Sequence, residues 1–250
     1  MRLHCLGTVG YHPNDTRHTS CYFLPESGIV LDGGTGTFRL SSLIESETLD
    51  ILLSHAHLDH TFGLTTLLDV QFQRPVKQLR IWGESAKIQA VREHLFNELI
   101  FPAALEAEWL AIDDRPEFQI GGATISWRPQ EHPGGSVAYR LDWPESGKRL
   151  VYATDTTGDV SEAHAQWSAQ ADLLMHECYF RDSAKDWALK TGHSWTSRVA
   201  EVASLCDPAK LLLTHINPLE AADDPVDIES IRRRVGSEVI LAADGLRLDF

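Results

Sequence analysis

The sequence predicts an α+β fold in which helices pack outside two sheets, and three observations carry that prediction. Short apolar runs bounded by turn residues recur through residues 1–32 and 108–154. Segments with apolar residues at helical spacing lie between them, and the last third alternates strand with helix. A chain of 250 residues, 43% hydrophobic and free of low-complexity tracts, suffices for one substantial core, so a single domain over residues 1–250 is expected.

In order along the chain, residues 2–6, Cys21–Leu24 and Ile29–Leu31 read as strands, with turns at Pro13-Asn14-Asp15 and Glu26-Ser27-Gly28. Residues 49–53 form a compact apolar run, the mark of a buried strand. Leu64, Leu67, Leu68 and Phe72 recur at helical spacing and place a helix over residues 61–72; a second is expected over residues 85–99. Strands dominate residues 108–154, broken at Gly121-Gly122 and at Glu145-Ser146-Gly147. Beyond them come a strand at 172–175, a helix at 194–205 with Ser194 as its expected N-cap, and a strand at 211–214. A helix at 226–235 and strands at 238–242 and 246–250 close the chain.

Composition narrows the function. The balance of 22 basic against 36 acidic residues, formally −14, opposes general affinity for a polyanion such as duplex DNA or long RNA. It leaves room for a small anionic substrate, because bound metal ions invert the local field. No segment approaches a membrane span, the N-terminus lacks the apolar stretch of a secretory signal, and Cys5, Cys21, Cys178 and Cys206 are too scattered for a disulfide framework. Buried thiols and a cytoplasmic protein are expected.

The placement of the 12 histidines is the strongest signal. Directly after the apolar run comes Ser54-His55-Ala56-His57-Leu58-Asp59-His60. Residues two apart in extended chain face one side, so His55 and His57 can reach one ion; the following helix can aim Asp59 and His60 at a neighbouring one. Imidazoles with a carboxylate suit zinc, and also iron or manganese. One such segment cannot fill two coordination spheres. His132, Asp155 and His215 each follow an expected strand in polar surroundings. Each alone is more often a loop residue, but together they complete a set for two ions.

These segments resemble the successive motifs of the metallo-β-lactamase superfamily, over nearly the whole chain. The resemblance implies a four-layer αββα sandwich. It implies that His55, His57 and His132 hold one divalent ion, that Asp59, His60 and His215 hold the second, and that Asp155 bridges both. Asp32, in Leu31-Asp32-Gly33-Gly34, matches a strand-end aspartate that supports such a site without ligating metal. Asp59 has a second implied role, holding and orienting the attacking water as a general base. Zinc is the expected metal, with manganese or iron as alternatives.

Residues 172–180, which include His176-Glu177-Cys178-Tyr179-Phe180, resemble the strand and H-E-x-x-F segment of ribonuclease Z and related phosphodiesterases; Gly192-His193-Ser194 resembles their G-H-S/T segment. By that resemblance Glu177 orients His193, which protonates the leaving oxygen. Cys178-Tyr179 departs from the usual Ala-Thr. His176 reads as a structural strand-end histidine. His4, His12, His18, His94 and His164 read as surface or structural, with His12 and His18 also candidates to line the pocket.

Ribonuclease Z carries a long arm that grips tRNA, usually between the segments matching His132 and Asp155. Here 22 residues separate them, enough only for a hairpin around Glu145-Ser146-Gly147. With the negative charge, this favours a phosphodiesterase acting on a small or cyclic phosphodiester. tRNA 3′-end processing is the nearest alternative, with nucleic acid as a less favoured partner. Lactone, thioester or β-lactam hydrolysis ranks lower, because the signal sequence, the cysteine at position 155 and the helical C-terminal domain of such enzymes are missing from the pattern. A non-catalytic scaffold ranks lower still, since all seven ligand positions are filled. Relatives with such a site are often dimers, so a homodimer is expected.

Overall fold

The computed structural model describes residues 1–220 and 222–250. The strands are β1 (Arg2–Gly7), β2 (Cys21–Leu24), β3 (Ile29–Leu31), β4 (Thr48–Leu52), β5 (Gln78–Gly83), β6 (Glu108–Ala111) and β7 (Glu117–Ile120). They continue with β8 (Ala123–Gln130), β9 (Ser136–Trp143), β10 (Lys148–Ala153), β11 (Leu173–Glu177), β12 (Lys210–Thr214), β13 (Glu238–Leu241) and β14 (Arg247–Asp249). The helices are α1 (Leu58–Thr61), α2 (Leu67–Gln73), α3 (Ser85–Ala90), α4 (Glu162–Ser168), α5 (Lys185–Thr191), α6 (Thr196–Cys206) and α7 (Ile228–Arg232). The chain divides into two compact units, Met1–Gly122 with Ala243–Asp249, and Ala123–Ala242 with Phe250.

The first unit is built on a mixed sheet in the order β14-β1-β2-β3-β4-β5-β6. β3 through β6 run parallel, whereas β14, β1, β2 and β3 pair antiparallel. Ile29–Leu31 is buried throughout, as strands covered on both faces must be. One core joins Phe23, Val30 and Ile51 on the strands to Leu64, Leu67 and Val70 on the helical segments. In the second unit the strands run β13-β12-β11-β10-β9-β8, with β10 to β13 parallel and β8, β9 and β10 antiparallel. Val199, Val202 and Ala203 of α6 pack there against Val151, Leu174 and Leu211. The expected α+β class holds: each unit has one sheet with helices packed on it.

Three helices differ from their sequence expectations. Residues 61–72 do not form one helix, because a 3₁₀ turn at Phe62–Thr66 separates α1 from α2. Gly63 sits so close to the loop after β3 that a Cβ there would lie 1.8 Å from the Gly34 carbonyl oxygen. The tighter turn shifts the phase, leaving Leu64, Leu67 and Val70 buried and Phe72 90% exposed. The helix expected to reach residue 99 stops at a π turn, Val91–Leu95, and Asn97 Oδ1 then accepts from the Leu99 N–H to close a non-helical turn. The helix at 226–235 shrinks to Ile228–Arg232, because Asp227, with φ of +53°, is left-handed and breaks the helix at its start. β5, α4 and α5 were not anticipated.

The hairpin expected between His132 and Asp155 is present. β9 and β10 pair antiparallel across a four-residue turn, residues 144–147. All four cysteines are buried free thiols, as expected, and burial pushes Cys5 and Cys21 up to about 12. Among the described residues no helix is long and apolar enough to cross a membrane.

Candidate metal centre

In both units the candidate ligands gather just beyond the carboxyl ends of strands, all of them parallel-paired except β8, which precedes His132. In the first unit β3 ends at Leu31 and is followed by Asp32; β4 ends at Leu52 and is followed by Ser54 to His60. Asp32 has φ of +59°, a left-handed turn that costs strain for a non-glycine residue and directs the carboxylate back over the strand ends.

The buried Asp32 organises two imidazoles. Its Oδ1 accepts from the Ser54 N–H at 2.7 Å, and its Oδ2 accepts from the Ser54 hydroxyl at 2.9 Å and from His60 Nδ1 at 2.7 Å. His55 Nδ1 lies 3.0 Å from the same hydroxyl, which has already spent its proton on Asp32, so the ring must donate. Both rings are therefore Nδ1–H tautomers with Nε2 lone pairs turned away from that support, as in a metal-ligating histidine whose other nitrogen is held by a hydrogen bond. His55 and His57 rings lie 4.4 Å apart, His55 and His60 4.3 Å. His55 and His60 are buried and His57 is exposed. Asp59 Oδ2 lies 3.4 Å from His60 Nε2 and accepts from the Tyr11 N–H at 2.7 Å. Structure thus brings His55, His57, Asp59 and His60 together.

In the second unit four strands each deliver one group. His132 follows β8, Asp155 follows β10, Glu177 ends β11 and His215 follows β12. Asp155 and His215 have φ of +50° and +49°, the same strained turn as Asp32. Asp155 is 2% exposed, and its oxygens face different histidines: Oδ1 lies 3.4 Å from His132 Nε2 and Oδ2 lies 3.3 Å from His215 Nε2. Such a carboxylate offers one oxygen to each of two ligand groups. The Thr154 hydroxyl donates to Oδ2 at 2.7 Å. His132 Nδ1 donates to the Gly192 carbonyl at 2.9 Å, which again leaves Nε2 as the ligand atom. Burial pulls the His132 pKa below its usual value, only partly countered by Asp155, and so favours the neutral imidazole a metal needs.

Glu177 is fully buried, and its carboxylate lies 3.1 Å from His193 Nδ1. His193 stacks on Tyr179, with ring centroids 4.4 Å apart and planes 14° from parallel, and on His215 at 5.4 Å. The His132 ring lies edge-on to it, with centroids 5.1 Å apart. Ser194 corrects its expectation: the N-cap of α6 is Trp195, and the Ser194 hydroxyl instead donates to the Glu177 carbonyl at 2.9 Å. His176 is buried in β11 with Nδ1 on the Glu177 carbonyl, as a structural strand-end histidine should be. His12 and His18 make local contacts, with the Pro13 carbonyl and the Thr35 hydroxyl.

Sequence reasoning missed three contributors. Tyr179 supplies the stacking face for His193, Gly192 supplies the carbonyl for His132, and the Ser54 hydroxyl links His55 to Asp32. All three lie inside motifs singled out for neighbouring residues, Tyr179 as part of the departure from the usual Ala-Thr. The donor chemistry of both units, imidazole nitrogens and carboxylate oxygens with acceptors that hold the far nitrogens of His55, His60 and His132, fits divalent transition metals such as zinc.

Comparison with known proteins agrees. A family model for the beta-lactamase superfamily domain matches residues 29–216. Ribonuclease Z of Gemmatimonas aurantiaca is 26% identical over 299 residues, covering 98% of this chain and 94% of that protein. The metallo-beta-lactamase fold protein YhfI from Bacillus subtilis superposes with a TM-score of 0.80 at 21% identity over 99% of both chains. The short form of human tRNase Z superposes with a TM-score of 0.76 at 22% identity, over 100% of this chain and 99% of that one. The chain belongs to the beta-lactamase superfamily, with the metallo-β-lactamase fold of a metal-dependent hydrolase.

Proposed function

We propose that this protein is a phosphodiesterase that hydrolyses a small or cyclic phosphodiester, with both units acting as one hydrolase domain and two divalent ions as cofactors. In this reading His55, His57 and His132 serve one ion, Asp59, His60 and His215 the other, and Asp155 both. Bound there, the ions supply Lewis-acid activation of water and neutralise phosphate charge. The residues of the chain then have defined tasks. Asp59 holds the attacking water's proton, Glu177 accepts from the His193 Nδ1–H and so supports the doubly protonated ring, and His193 gives its Nε2 proton to the leaving oxygen. Stacking on Tyr179 keeps the ring from turning away.

The observation that carries the choice of substrate is the β9–β10 hairpin. The arm implied by the ribonuclease Z resemblance would extend from this region, and here four residues join the strands. The alignment with the Gemmatimonas enzyme supports this, since 299 positions spread over 98% of a 250-residue chain leave some fifty facing gaps. A net charge of −14 also disfavours a long polyanion.

tRNA 3′-end processing stays as the second reading, because curated relatives matching almost the whole chain are ribonucleases Z. Side-by-side kcat/KM values for a cyclic nucleotide, a model diester and a pre-tRNA at moderate salt separate the two. Accurate cleavage after the discriminator base with weak small-diester activity would replace the first reading by the second. The acid assignment has its own test. His193→Ala should slow diesters with poor leaving groups by on the order of 10²-fold more than p-nitrophenyl diesters, which leave without a proton. Equal losses on both substrates would remove His193 from that role. The homodimer expectation is carried forward as part of the proposal, to be checked by light scattering.

A further inference from the structure

We infer that Asp244, near the end of the chain, is a positioning residue for the candidate ligand Asp59, acting through the loop of residues 8–18. Its role toward a metal rests on the ligand reading of Asp59; the chain of hydrogen bonds that links the two carboxylates stands by itself. All of these groups belong to the first unit.

The loop lies between β1, which ends at Gly7, and β2, which begins at Cys21. Tyr11 and residues 13–16 are exposed, so core packing does little to fix the excursion. Tyr11 nevertheless holds φ of +61°, a left-handed conformation that strains an aromatic residue and persists only where its surroundings over-determine it. In that conformation its N–H donates to Asp59 Oδ2 at 2.7 Å, the oxygen that also faces His60 Nε2 at 3.4 Å. A ligating carboxylate needs such a donor, because it otherwise turns about its own side-chain bonds.

Asp244 clamps the loop at both ends. Its Oδ1 accepts from the Thr8 hydroxyl at 2.9 Å, and its Oδ2 accepts from the His18 N–H at 2.8 Å and from Arg39 Nη1 at 2.6 Å. The Thr8 hydroxyl in turn accepts from Arg17 Nη1 at 2.6 Å, and the His18 carbonyl accepts from the Thr8 N–H at 2.8 Å. At the tip, Asn14 Oδ1 accepts from the N–H groups of Thr16 and Arg17 at 3.1 and 2.9 Å. The loop is thus closed at its base and at its tip, with Tyr11 between them.

Asp244 does not depend on the loop for its own place. The Gly245 N–H donates to the Cys5 carbonyl at 2.8 Å, and the Cys5 N–H donates to the Leu246 carbonyl at 2.9 Å, so backbone pairing with β1 holds the turn. The Asp244 side chain is 6% exposed, and its charge-assisted hydrogen bonds meet little competition from water. Influence therefore runs one way. Strand pairing fixes Asp244, Asp244 fixes Thr8 and His18, the closed loop fixes Tyr11, and Tyr11 fixes one oxygen of Asp59.

Cobalt(II) binding to the full-length protein, followed by the absorption of the bound ion, tests this without using hydrolysis. Asp244→Asn should weaken cobalt roughly tenfold, since it loosens the support of a ligand while keeping the ligand, and Asp59→Asn should weaken it further. The double variant should bind no more weakly than Asp59→Asn, because Asp244 acts only through that carboxylate. Hydrogen exchange of the metal-free protein gives a second readout. Peptides from residues 8–18 should exchange roughly tenfold faster in Asp244→Asn, with residues 29–52 unchanged. Thr8→Val, which keeps the pair between Asp244 and Arg39, serves if Asp244→Asn does not fold, and should move both readouts the same way by about threefold. Wild-type cobalt affinity in both variants, or additive losses in the double variant, overturns the inference. Wild-type affinity in Asp59→Asn removes the ligand reading of Asp59 and this role of Asp244 with it. Absence of diester hydrolysis alone removes the phosphodiesterase reading and leaves the link between Asp244 and Asp59 standing.

Discussion

The two units supply their candidate ligands in opposite ways. In the first, four ligands lie within the six residues from His55 to His60, and a single buried carboxylate, Asp32, sets His60 directly and His55 through the Ser54 hydroxyl. In the second, His132, Asp155 and His215 come from three different strand ends, and His132 is set by a carbonyl 60 residues away. A contiguous set depends on local backbone geometry and one support. A dispersed set depends on strand order and register, and in Asp155 it has one residue that touches two others. The first arrangement should fail in parts and the second at a single point.

Removing that point should have the largest effect. Asp155→Ala takes away the contacts to both His132 and His215, and hydrolysis should fall on the order of 10³-fold or more, with loss of bound metal by elemental analysis. A variant that keeps both metals and most activity would dissolve the contrast between the units.

The next effect concerns a histidine outside the ligand set. His164 in α4 is 1% exposed, and burial drops its pKa from 6.5 to about 4, with Asp159 opposing. The unfolded chain binds the proton more readily, so this contribution is complete above pH about 6.5 and is lost as pH falls toward 4. The difference corresponds to ~3 kcal/mol. Chemical denaturation between pH 7 and 4 should show the decline, and His164→Phe should flatten it. An unchanged slope would mean that other groups, not His164, set the acid sensitivity.

Asp32→Asn probes the first unit from outside its contiguous segment. It removes the charge that holds His60 and, through Ser54, His55, so metal affinity should fall roughly 10–100-fold while all four ligands remain. Competition with a chromogenic chelator measures this, and wild-type affinity would show that the segment needs no support. The smallest effect is local. Ser161 caps α4 by accepting from the His164 N–H at 3.2 Å, and Ser161→Ala should cost about 1 kcal/mol in a urea titration with activity intact. A larger loss would mean that α4 supports the dispersed set as well as the sheet it packs on.

Much of this protein was determined by sequence alone. Strand and turn periodicity placed most strands, because alternation and apolar runs act over a few residues. The segment from His55 to His60 was legible for the same reason, since ligands two residues apart share a face in extended chain. Tertiary structure decided the rest. Whether residues 61–72 form one helix depended on Gly63 meeting the Gly34 carbonyl, a contact between segments 29 residues apart that no local pattern encodes. The stacking of Tyr179 on His193, the hold of Gly192 on His132, and the reach of Asp244 to Thr8 depend on which strands lie side by side. Strand order follows from burying each sheet's apolar faces under its own helices, a free energy summed over many residues, so side chains far apart in sequence become neighbours only when that sum is complete.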